Sequence, residues 1–345
     1  MSLTTKSVDQ FDLKQTGAYL EAHLDGFKGL NKAEKFSDGQ SNPTFLLSAD
    51  SGRYVLRRQP PGDLLKSAHA VDREYRVMTA LRDTDVPVPH TYHLCTDRDV
   101  IGSMFYVMGF ENGRVFWNAT LPELDNAQRA NIYDEMNRVL AALHDIRPED
   151  VGLADYGYPG NYFARQISRW SKQYRSSETS TIADMDRLIE WLPANMPEDD
   201  GSVSLIHGDY RMDNIMFHGS EERAIALLDW ELSTLGHPFA DLAYQCMPWQ
   251  FDCDAVLPGL GKVDRVSLGI PSDEEYVARY CERRGLTGIP DWNFYLVFSL
   301  FRLAAIVQGM LKRAIDGNAS NQKAFQYGAM APWLAARATG IIDEG

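Results

Sequence analysis

Three oxygen-bearing side chains are spaced along the sequence in a way that suits one kind of chemistry. Asp209 precedes Asn214 by five residues, and Asp229 comes shortly afterwards, directly behind a second short apolar run. Transfer of a phosphoryl group from Mg-ATP needs a carboxylate to orient and deprotonate the hydroxyl nucleophile, and hard oxygen ligands to hold Mg²⁺ on the phosphates. The order and spacing of these residues therefore favour phosphoryl transfer.

The residues around this set strengthen the interpretation. The apolar run Leu205-Ile206 leads into His207-Gly208-Asp209, and a β-like run over 224–228 leads into Asp229. Strands hold polar groups at their ends rigidly, as a catalytic site requires. The spacing from His207 to Asn214 matches the H-R-D-x-x-x-x-N catalytic loop of protein kinases, and Asp229 stands where the metal-binding aspartate of D-F-G should be.

With H-G-D-x-x-x-x-N, and with D-W-E in place of D-F-G, the sequence resembles the aminoglycoside phosphotransferase and choline kinase superfamily. The closest likeness is to the phosphotransferase-like domains related to those joined to acyl-CoA dehydrogenases. The resemblance runs from about Phe36 to Ala314, with further matches at residues 36–42, 54–58, 72–76 and 301–304.

The resemblance implies a role for each residue of the catalytic segment. Asp209 is expected to be the catalytic base, or at least to orient the acceptor hydroxyl, and Asn214 and Asp229 are expected to bind Mg²⁺. Arg211 either stabilises the charge that develops on the transferred phosphate or forms a structural ion pair. Asp241 resembles the acid that braces the catalytic loop in this family. A further acid, Glu231, either supports the metal ligands or is itself one of them.

A strand lysine that grips the nucleotide phosphates is expected in the N-terminal region, but arginines stand there instead. Arg57 and Arg58 are neighbours, and alternation along a strand sends them to opposite faces, so only one can reach the phosphates. Alignment with the V-A-I-K pattern favours Arg57, with Glu74 of the following helix as its ion-pair partner. Arginine is larger than lysine and prefers bidentate contacts, so the substitution is not conservative.

Two other segments complete the expected nucleotide site. Gly39 and Ser41 belong to a turn that would close over the phosphates with backbone N–H groups, although it lacks a full G-x-G-x-x-G motif. Met108 and Phe110 belong to a hinge whose backbone would meet the adenine edge. The expected cofactors are therefore ATP and Mg²⁺.

The elements that must position these residues change in character near residue 110. Before it, helical and strand patterns alternate; after it, helical patterns dominate. The resemblance implies an α+β, bilobal protein-kinase-like fold, with a small antiparallel-sheet lobe over 1–110 and a larger, mainly helical lobe over 111–345 that binds the acceptor. The patterns predict helices over 11–24, 68–81, 128–143, 162–175, 182–192 and 293–314, a hairpin over 45–56 and strands over 104–108, 203–206 and 224–228.

Composition excludes several other classes of protein. The 34 basic residues against 48 acidic ones give a net charge of −14, which argues against a nucleic-acid binder. The most apolar stretch, 294–311, contains Arg302 and Gln308, so we expect a buried helix and no membrane partner. The four cysteines form no CxxC pair, and the first ten residues lack an apolar signal, which indicates the cytoplasm. The sequence leaves open a homodimer.

The expected function is that of a small-molecule kinase that transfers the ATP γ-phosphate to an acceptor hydroxyl. Arg302 and Arg313, in the apolar late helix, belong either to an anionic acceptor site or to buried ion pairs. An anionic acceptor would be a hydroxy acid or an acyl-CoA-related metabolite. The alternatives are a kinase of cationic acceptors, such as choline or aminoglycosides, and a nucleotide-binding regulatory module without catalysis.

Overall fold

The computed structural model describes residues 11–36, 42–60, 69–253, 255–317 and 323–344. The strands are β1 (Leu30–Lys35), β2 (Thr44–Ala49), β3 (Gly52–Arg58), β4 (Thr91–Cys95), β5 (Phe105–Gly109), β6 (Ser204–Ile206), β7 (Ile215–Phe217), β8 (Ala224–Leu227) and β9 (Thr234–Gly236). The helices are α1 (Leu13–His23), α2 (Val71–Leu81), α3 (Asn126–Asp145), α4 (Tyr162–Ser177), α5 (Ala183–Ala194), α6 (Phe239–Cys246), α7 (Arg265–Leu268), α8 (Asp273–Arg283), α9 (Trp292–Ile315), α10 (Ala324–Gly328) and α11 (Ala331–Glu344).

The chain divides into two compact units. The first unit runs to Val115 and also takes in Val151–Leu153 and Asp213–Ser233. The second unit consists of Phe116–Asp150, Ala154–Met212 and the chain from Thr234 onward. The first unit is thus assembled from three separate stretches of sequence.

An antiparallel sheet forms the first unit, with the strand order β1-β2-β3-β5-β4. Alternating side chains of its central strands are buried against α1 in one apolar cluster that includes Leu20, Phe45, Leu56 and Phe105. The side chain of Asp12 caps α1 by accepting from the backbone N–H groups of the first turn. Because successive strand residues face opposite sides, burial of Leu56 under α1 turns its neighbour Arg57 to the other face.

A small hairpin of β7 and β8 belongs to the same unit. Ile215 pairs with Leu227 across the two strands. The backbones of Arg114 and Phe217 exchange two hydrogen bonds, of 2.7 and 2.8 Å, which tie the hairpin to the stretch that follows β5. The residues just before β7 and just after β8 therefore belong to the first unit together with the hairpin.

The second unit is mainly helical. A capping box between Asp125 and Gln128 begins α3, and a second one begins α8, so both starts are encoded locally. The 24-residue helix α9 is long and apolar enough to cross a membrane by length and composition, but 78% of its most apolar stretch is buried inside the protein. It is the central core helix of this unit, as the charged and amide residues within it predicted.

The predicted fold class is confirmed: a small antiparallel-sheet unit is followed by a larger, mainly helical one. The predicted helices and the predicted hairpin are all present, with ends that differ from the predictions by up to three residues. The patterns did not predict β1, β4, β7 or β9.

Candidate active site

Arg57 is the centre of an ion cluster in the first unit. Its Nη2 lies 2.6 Å from Oδ1 of Asp229 and 3.9 Å from Oε2 of Glu231. Its Nε lies 2.8 Å from Oε2 of Glu74, a close approach of charges without the alignment of a hydrogen bond. Burial alone would lower the pKa of Arg57, but Glu74 and the neighbouring acids raise it above its ordinary value. The guanidinium is therefore a permanent positive charge shared among three carboxylates.

Glu74 is held in place by more than its ion pair. It is 1% exposed, and it accepts hydrogen bonds from the amide of Asn42 (2.7 Å) and the hydroxyl of Tyr106 (3.1 Å). Burial raises the pKa of Glu74 to about 7, although the charge of Arg57 opposes the shift. The adjacent Arg58 points the other way, is buried, and donates from Nε to the hydroxyl of Ser103 at 2.8 Å. The structure thus pairs Arg57, and not Arg58, with Glu74.

Asn214 and Asp229 lie at the same end of the β7–β8 hairpin. Asn214 directly precedes β7, and its carbonyl accepts a 2.8 Å hydrogen bond from the N–H of Leu228, the residue before Asp229. Asp229 has a left-handed backbone, with φ 66° and ψ 61°, a region that few residues other than glycine adopt. An unfavourable backbone of this kind is common where a side chain must be aimed at a functional target.

This pair of side chains fits Mg²⁺. It offers one carboxylate and one amide oxygen, and Asp229 is partly exposed. Mg²⁺ prefers oxygen ligands and keeps several waters and substrate phosphates around it, so two protein ligands are sufficient. Glu231, also partly exposed and beside the same arginine, is a third carboxylate within the cluster. Because Oδ1 of Asp229 is paired with Arg57, a bound cation and the guanidinium would share that carboxylate.

The candidate catalytic loop lies in the second unit and is braced by Asp241. This 1% exposed carboxylate accepts from the backbone N–H of His207 (2.6 Å) and of Gly208 (2.8 Å). His144 approaches it with Nε2 at 3.4 Å and contacts the Tyr280 hydroxyl with Nδ1 at 2.7 Å. Burial alone would raise the pKa of Asp241, but the hydrogen bonds of His144 and the loop hold it below its ordinary value. The expected bracing role of Asp241 is therefore met by its contacts.

Asp209 follows the braced residues and is partly exposed. The phenol of Tyr244 lies within electrostatic reach of its carboxylate. Burial raises the pKa of Tyr244, and the negative charge of Asp209 raises it further, so this phenol keeps its proton. Arg211 is also partly exposed and lies within electrostatic reach of Tyr244. The second unit thus presents a partly exposed carboxylate directly after a braced loop, beside a phenol that stays protonated.

The remaining predicted nucleotide-binding residues are Gly39, Ser41, Met108 and Phe110. Gly39 and Ser41 lie outside the described residues. Met108 is buried near the end of β5, opposite Val55 of β3. Phe110 follows that strand, and the guanidinium of Arg53 lies 4.2 Å from the centre of its ring.

Of the two interpretations of the late-helix arginines, the buried ion pair is wrong and the anionic acceptor site stays a prediction. Arg302 is buried, but it donates from Nη2 to the carbonyl of Gly208 at 2.8 Å and has no ion pair within the described part of the chain. Arg313 lies on an exposed face near the end of α9. Neither arginine therefore supports an anionic acceptor site.

Tyr244 and His144 are site residues that the sequence patterns did not reveal. Tyr244 lies three residues after Asp241 and so shares its helix face, which is the one signal that could have identified it. His144 lies about a hundred residues from Asp241 in sequence, and no local pattern connects them.

Comparison with known proteins agrees with this geometry. The family model described as "Phosphotransferase enzyme family" matches residues 32–294. The mouse protein named acyl-CoA dehydrogenase family member 10 is 43% identical over 322 residues, which are 92% of this chain and 30% of that protein. The chain therefore spans less than a third of the length of this relative.

Solved structures show the same architecture. A candidate aminoglycoside phosphotransferase from Ralstonia eutropha is 47% identical and superposes with a TM-score of 0.90, covering 97% of this chain and 99% of its own. A spectinomycin phosphotransferase solved with ADP and spectinomycin is 13% identical, with a TM-score of 0.63 and coverage of 94% and 98%. At that identity the second likeness concerns the fold alone.

Proposed function

The chain belongs to the phosphotransferase enzyme family, and we propose that it is a small-molecule kinase that transfers the γ-phosphate of ATP to a hydroxyl group of its acceptor. The observation that carries the proposal is the end of the β7–β8 hairpin. There, Asn214 and the residue before Asp229 are joined by a backbone hydrogen bond, and Arg57 is paired with the carboxylate of Asp229. Few structural roles would require a half-exposed acid in a left-handed backbone beside a buried cation.

Each residue has a defined part in the proposed reaction. Asn214 and Asp229 would hold Mg²⁺, which on binding neutralises charge on the ATP phosphates. Arg57 would add a fixed positive charge next to the phosphates, kept in place by Glu74. Asp209 would accept the proton of the acceptor hydroxyl while the hydroxyl oxygen forms a bond to the γ-phosphorus. The bond from that phosphorus to the bridging oxygen breaks, and ADP leaves.

The acceptor is the finer part of the proposal. We favour a hydroxy acid or an acyl-CoA-related alcohol, and the support is kinship with a protein named as an acyl-CoA dehydrogenase family member. Arg302 and Arg313 lend this choice nothing, for the reasons given above. A cationic acceptor, as in choline and aminoglycoside kinases, is the competing class.

Binding of Mg-ADP, measured by titration calorimetry, tests the metal role. Asp229→Ala should weaken binding at least about tenfold when Mg²⁺ is present, because a charged metal ligand is lost. Asp83→Ala, which removes an exposed aspartate of the same unit, is the matched control and should bind as the parent does. Equal affinity in the parent and in Asp229→Ala would rule out Asp229 as a metal ligand.

Release of ADP with a panel of hydroxylated acceptors tests the catalytic role and separates the acceptor classes. The panel pairs hydroxy acids and hydroxyacyl-CoA compounds with choline and aminoglycosides. Asp209→Asn should abolish turnover of the preferred acceptor while leaving Mg-ADP affinity nearly intact. Asp150→Asn, at an exposed position of the second unit, is the control. Nucleotide binding by the parent without turnover of any acceptor would favour the regulatory module.

A further inference from the structure

Arg302 is a buried cation that the proposed reaction does not use. Its side chain lies in the apolar core helix α9 and is 7% exposed. Its Nε is fully buried without a hydrogen-bond partner, and no carboxylate pairs with it among the described residues. Removing a cation from water without an opposite charge is costly, so a residue of this kind requires a compensating role.

The main polar contact of Arg302 is with the catalytic loop. Its Nη2 donates to the carbonyl of Gly208 at 2.8 Å, and the centre of its guanidinium lies 5.1 Å from the ring centre of Tyr244. A second aromatic ring, that of Trp170, lies 5.8 Å away on the α4 side. Aromatic faces stabilise a cation weakly, so the charged hydrogen bond to Gly208 is the dominant contact.

Gly208 is thereby held from both sides. Its N–H donates to Oδ1 of Asp241 at 2.8 Å, while its carbonyl accepts from Arg302. The residue has φ of 82°, a left-handed conformation that glycine adopts without a steric penalty. An acid on α6 and a cation on α9 together fix the backbone immediately before Asp209.

Tyr244 links the same cation to the side chain of Asp209. It lies on α6, three residues after Asp241; its phenol is within electrostatic reach of Asp209, and its ring lies next to Arg302. Arg302 is therefore connected to Asp209 mainly through its hydrogen bond to the Gly208 carbonyl, and secondarily through the ring of Tyr244, whose phenol interacts electrostatically with Asp209.

We infer that Arg302 is a positioning residue for Asp209, an inference that rests on the proposed role of Asp209 as the catalytic base. It touches neither nucleotide nor acceptor; it sets the direction of the carboxylate. A displacement of about 1 Å in a reacting group can cost on the order of a hundredfold in rate. The charge of Arg302 is thus used for geometry and not for binding an anionic acceptor.

Transfer of the γ-phosphate to water, measured as steady-state ATP hydrolysis, provides one test. Arg302→Met should lower kcat by about a hundredfold and leave KM for Mg-ATP within about twofold, because only the base is displaced. Arg302→Lys, which keeps a charged donor, should recover at least about tenfold of that loss. Arg313→Met removes an exposed arginine from the same helix and should match the parent.

A double-variant cycle separates positioning from general loss of structure. Tyr244→Phe should lower kcat on its own, and adding Arg302→Met should cost less than it does in the parent, because both act through Asp209. Fully additive effects of the two substitutions on kcat would overturn the inference. So would a rise in KM of Arg302→Met without any change in its kcat.

Amide exchange supplies a readout that does not depend on activity. In Arg302→Met the segment 205–211 should exchange at least about tenfold faster than in the parent and in Arg313→Met, since the Gly208 carbonyl loses its donor. Unchanged exchange there would overturn the inference, whatever the activity. A parent that neither binds Mg-ADP nor hydrolyses ATP would defeat the proposed function, whereas the exchange result would still decide whether Arg302 holds the loop.

Discussion

The geometry of Arg57 explains why an arginine can stand where related kinases are expected to carry lysine. A guanidinium presents several nitrogens in a fixed plane, so Nε reaches Glu74 while Nη2 reaches Asp229. A lysine has one nitrogen and could not approach both carboxylates in this way. Arg57 therefore connects strand β3, helix α2 and the proposed metal ligand Asp229 through one side chain.

Removal of this cation should be felt in stability as well as in binding. Arg57→Met leaves Glu74 buried without its counter-charge and should lower the free energy of unfolding by about 3 kcal/mol, measured by urea denaturation. Arg57→Lys should lose less, and Arg57→Met combined with Glu74→Gln should recover part of the loss. Arg98→Met, at an exposed position of the same unit, is the control. Equal stability of Arg57→Met and the parent would contradict the importance of the pair.

At this scale the sequence predicted the residues with local spacing and missed those joined across long distances. The sequence identified Asp209, Asn214 and Asp229 because the chemistry of phosphoryl transfer fixes their order. The strands beside them are short, so the three residues also lie close together in sequence. The contact between Arg57 and Asp229 joins residues 172 positions apart, and only the fold reveals it. The buried ion pair expected for Arg302 is absent from the part of the chain that the structure describes because its partner is a backbone carbonyl, which no pattern of side chains can indicate.

Among the elements, the β7–β8 hairpin depends on a close approach at Gly113. A Cβ placed on this residue would lie 2.3 Å from the carbonyl oxygen of Phe217 and 2.6 Å from the side chain of Met216. The backbone oxygen cannot move without breaking the hydrogen bonds between Arg114 and Phe217. Glycine at 113 is therefore required for the hairpin to dock.

Gly113→Ala should displace the hairpin and, at its other end, the proposed metal ligands Asn214 and Asp229. We expect a loss of about 1–3 kcal/mol in the free energy of unfolding and weaker Mg-ADP binding by calorimetry. Gly219→Ala, within the hairpin connection, adds its methyl group to open space and should leave both quantities near those of the parent. A Gly113→Ala protein with parental stability would show that the hairpin tolerates displacement.

The predicted elements are those with strong periodicity or local caps. Helices α3 and α9 are long, and the β2–β3 hairpin alternates apolar residues around a turn, so their patterns are clear. β1 and β4 were missed because they are edge strands with many exposed or half-exposed positions. β7 and β9 have three residues each, which is too short for a clear period; β6 is as short but was predicted as an apolar run leading into the catalytic motif.

For the whole molecule, the buried pair of His144 and Asp241 predicts sensitivity to acid. Burial lowers the pKa of His144, although Asp241 opposes the shift, whereas in the unfolded chain the value is about 6.5. Below that pH the unfolded state binds more protons than the folded one, so stability falls as the pH falls. The lowered pKa of Asp241 adds a loss of the same sign at more acidic pH, below about 4.

Urea denaturation at pH 7.5 and pH 5.5 would measure this effect. Between these values the parent should lose up to about 1.4 kcal/mol through His144, and His144→Gln should lack that part. Glu74, with its raised pKa, contributes with the opposite sign, so the difference between parent and variant isolates the histidine. His218→Gln, at a partly exposed position, is the control. An unchanged pH dependence in His144→Gln would contradict the assignment.

The three-stretch construction of the first unit limits how this protein can be rearranged. A gene fragment that ends near Val115 would carry Arg57 and Glu74 but would leave Asn214 and Asp229 behind. A chimera joined to a related protein at that point would therefore take Arg57 and Glu74 from one parent and the residues at positions 214 and 229 from the other. Such chimeras should fold and keep the ion cluster only when the β7–β8 hairpin and the sheet come from the same parent protein.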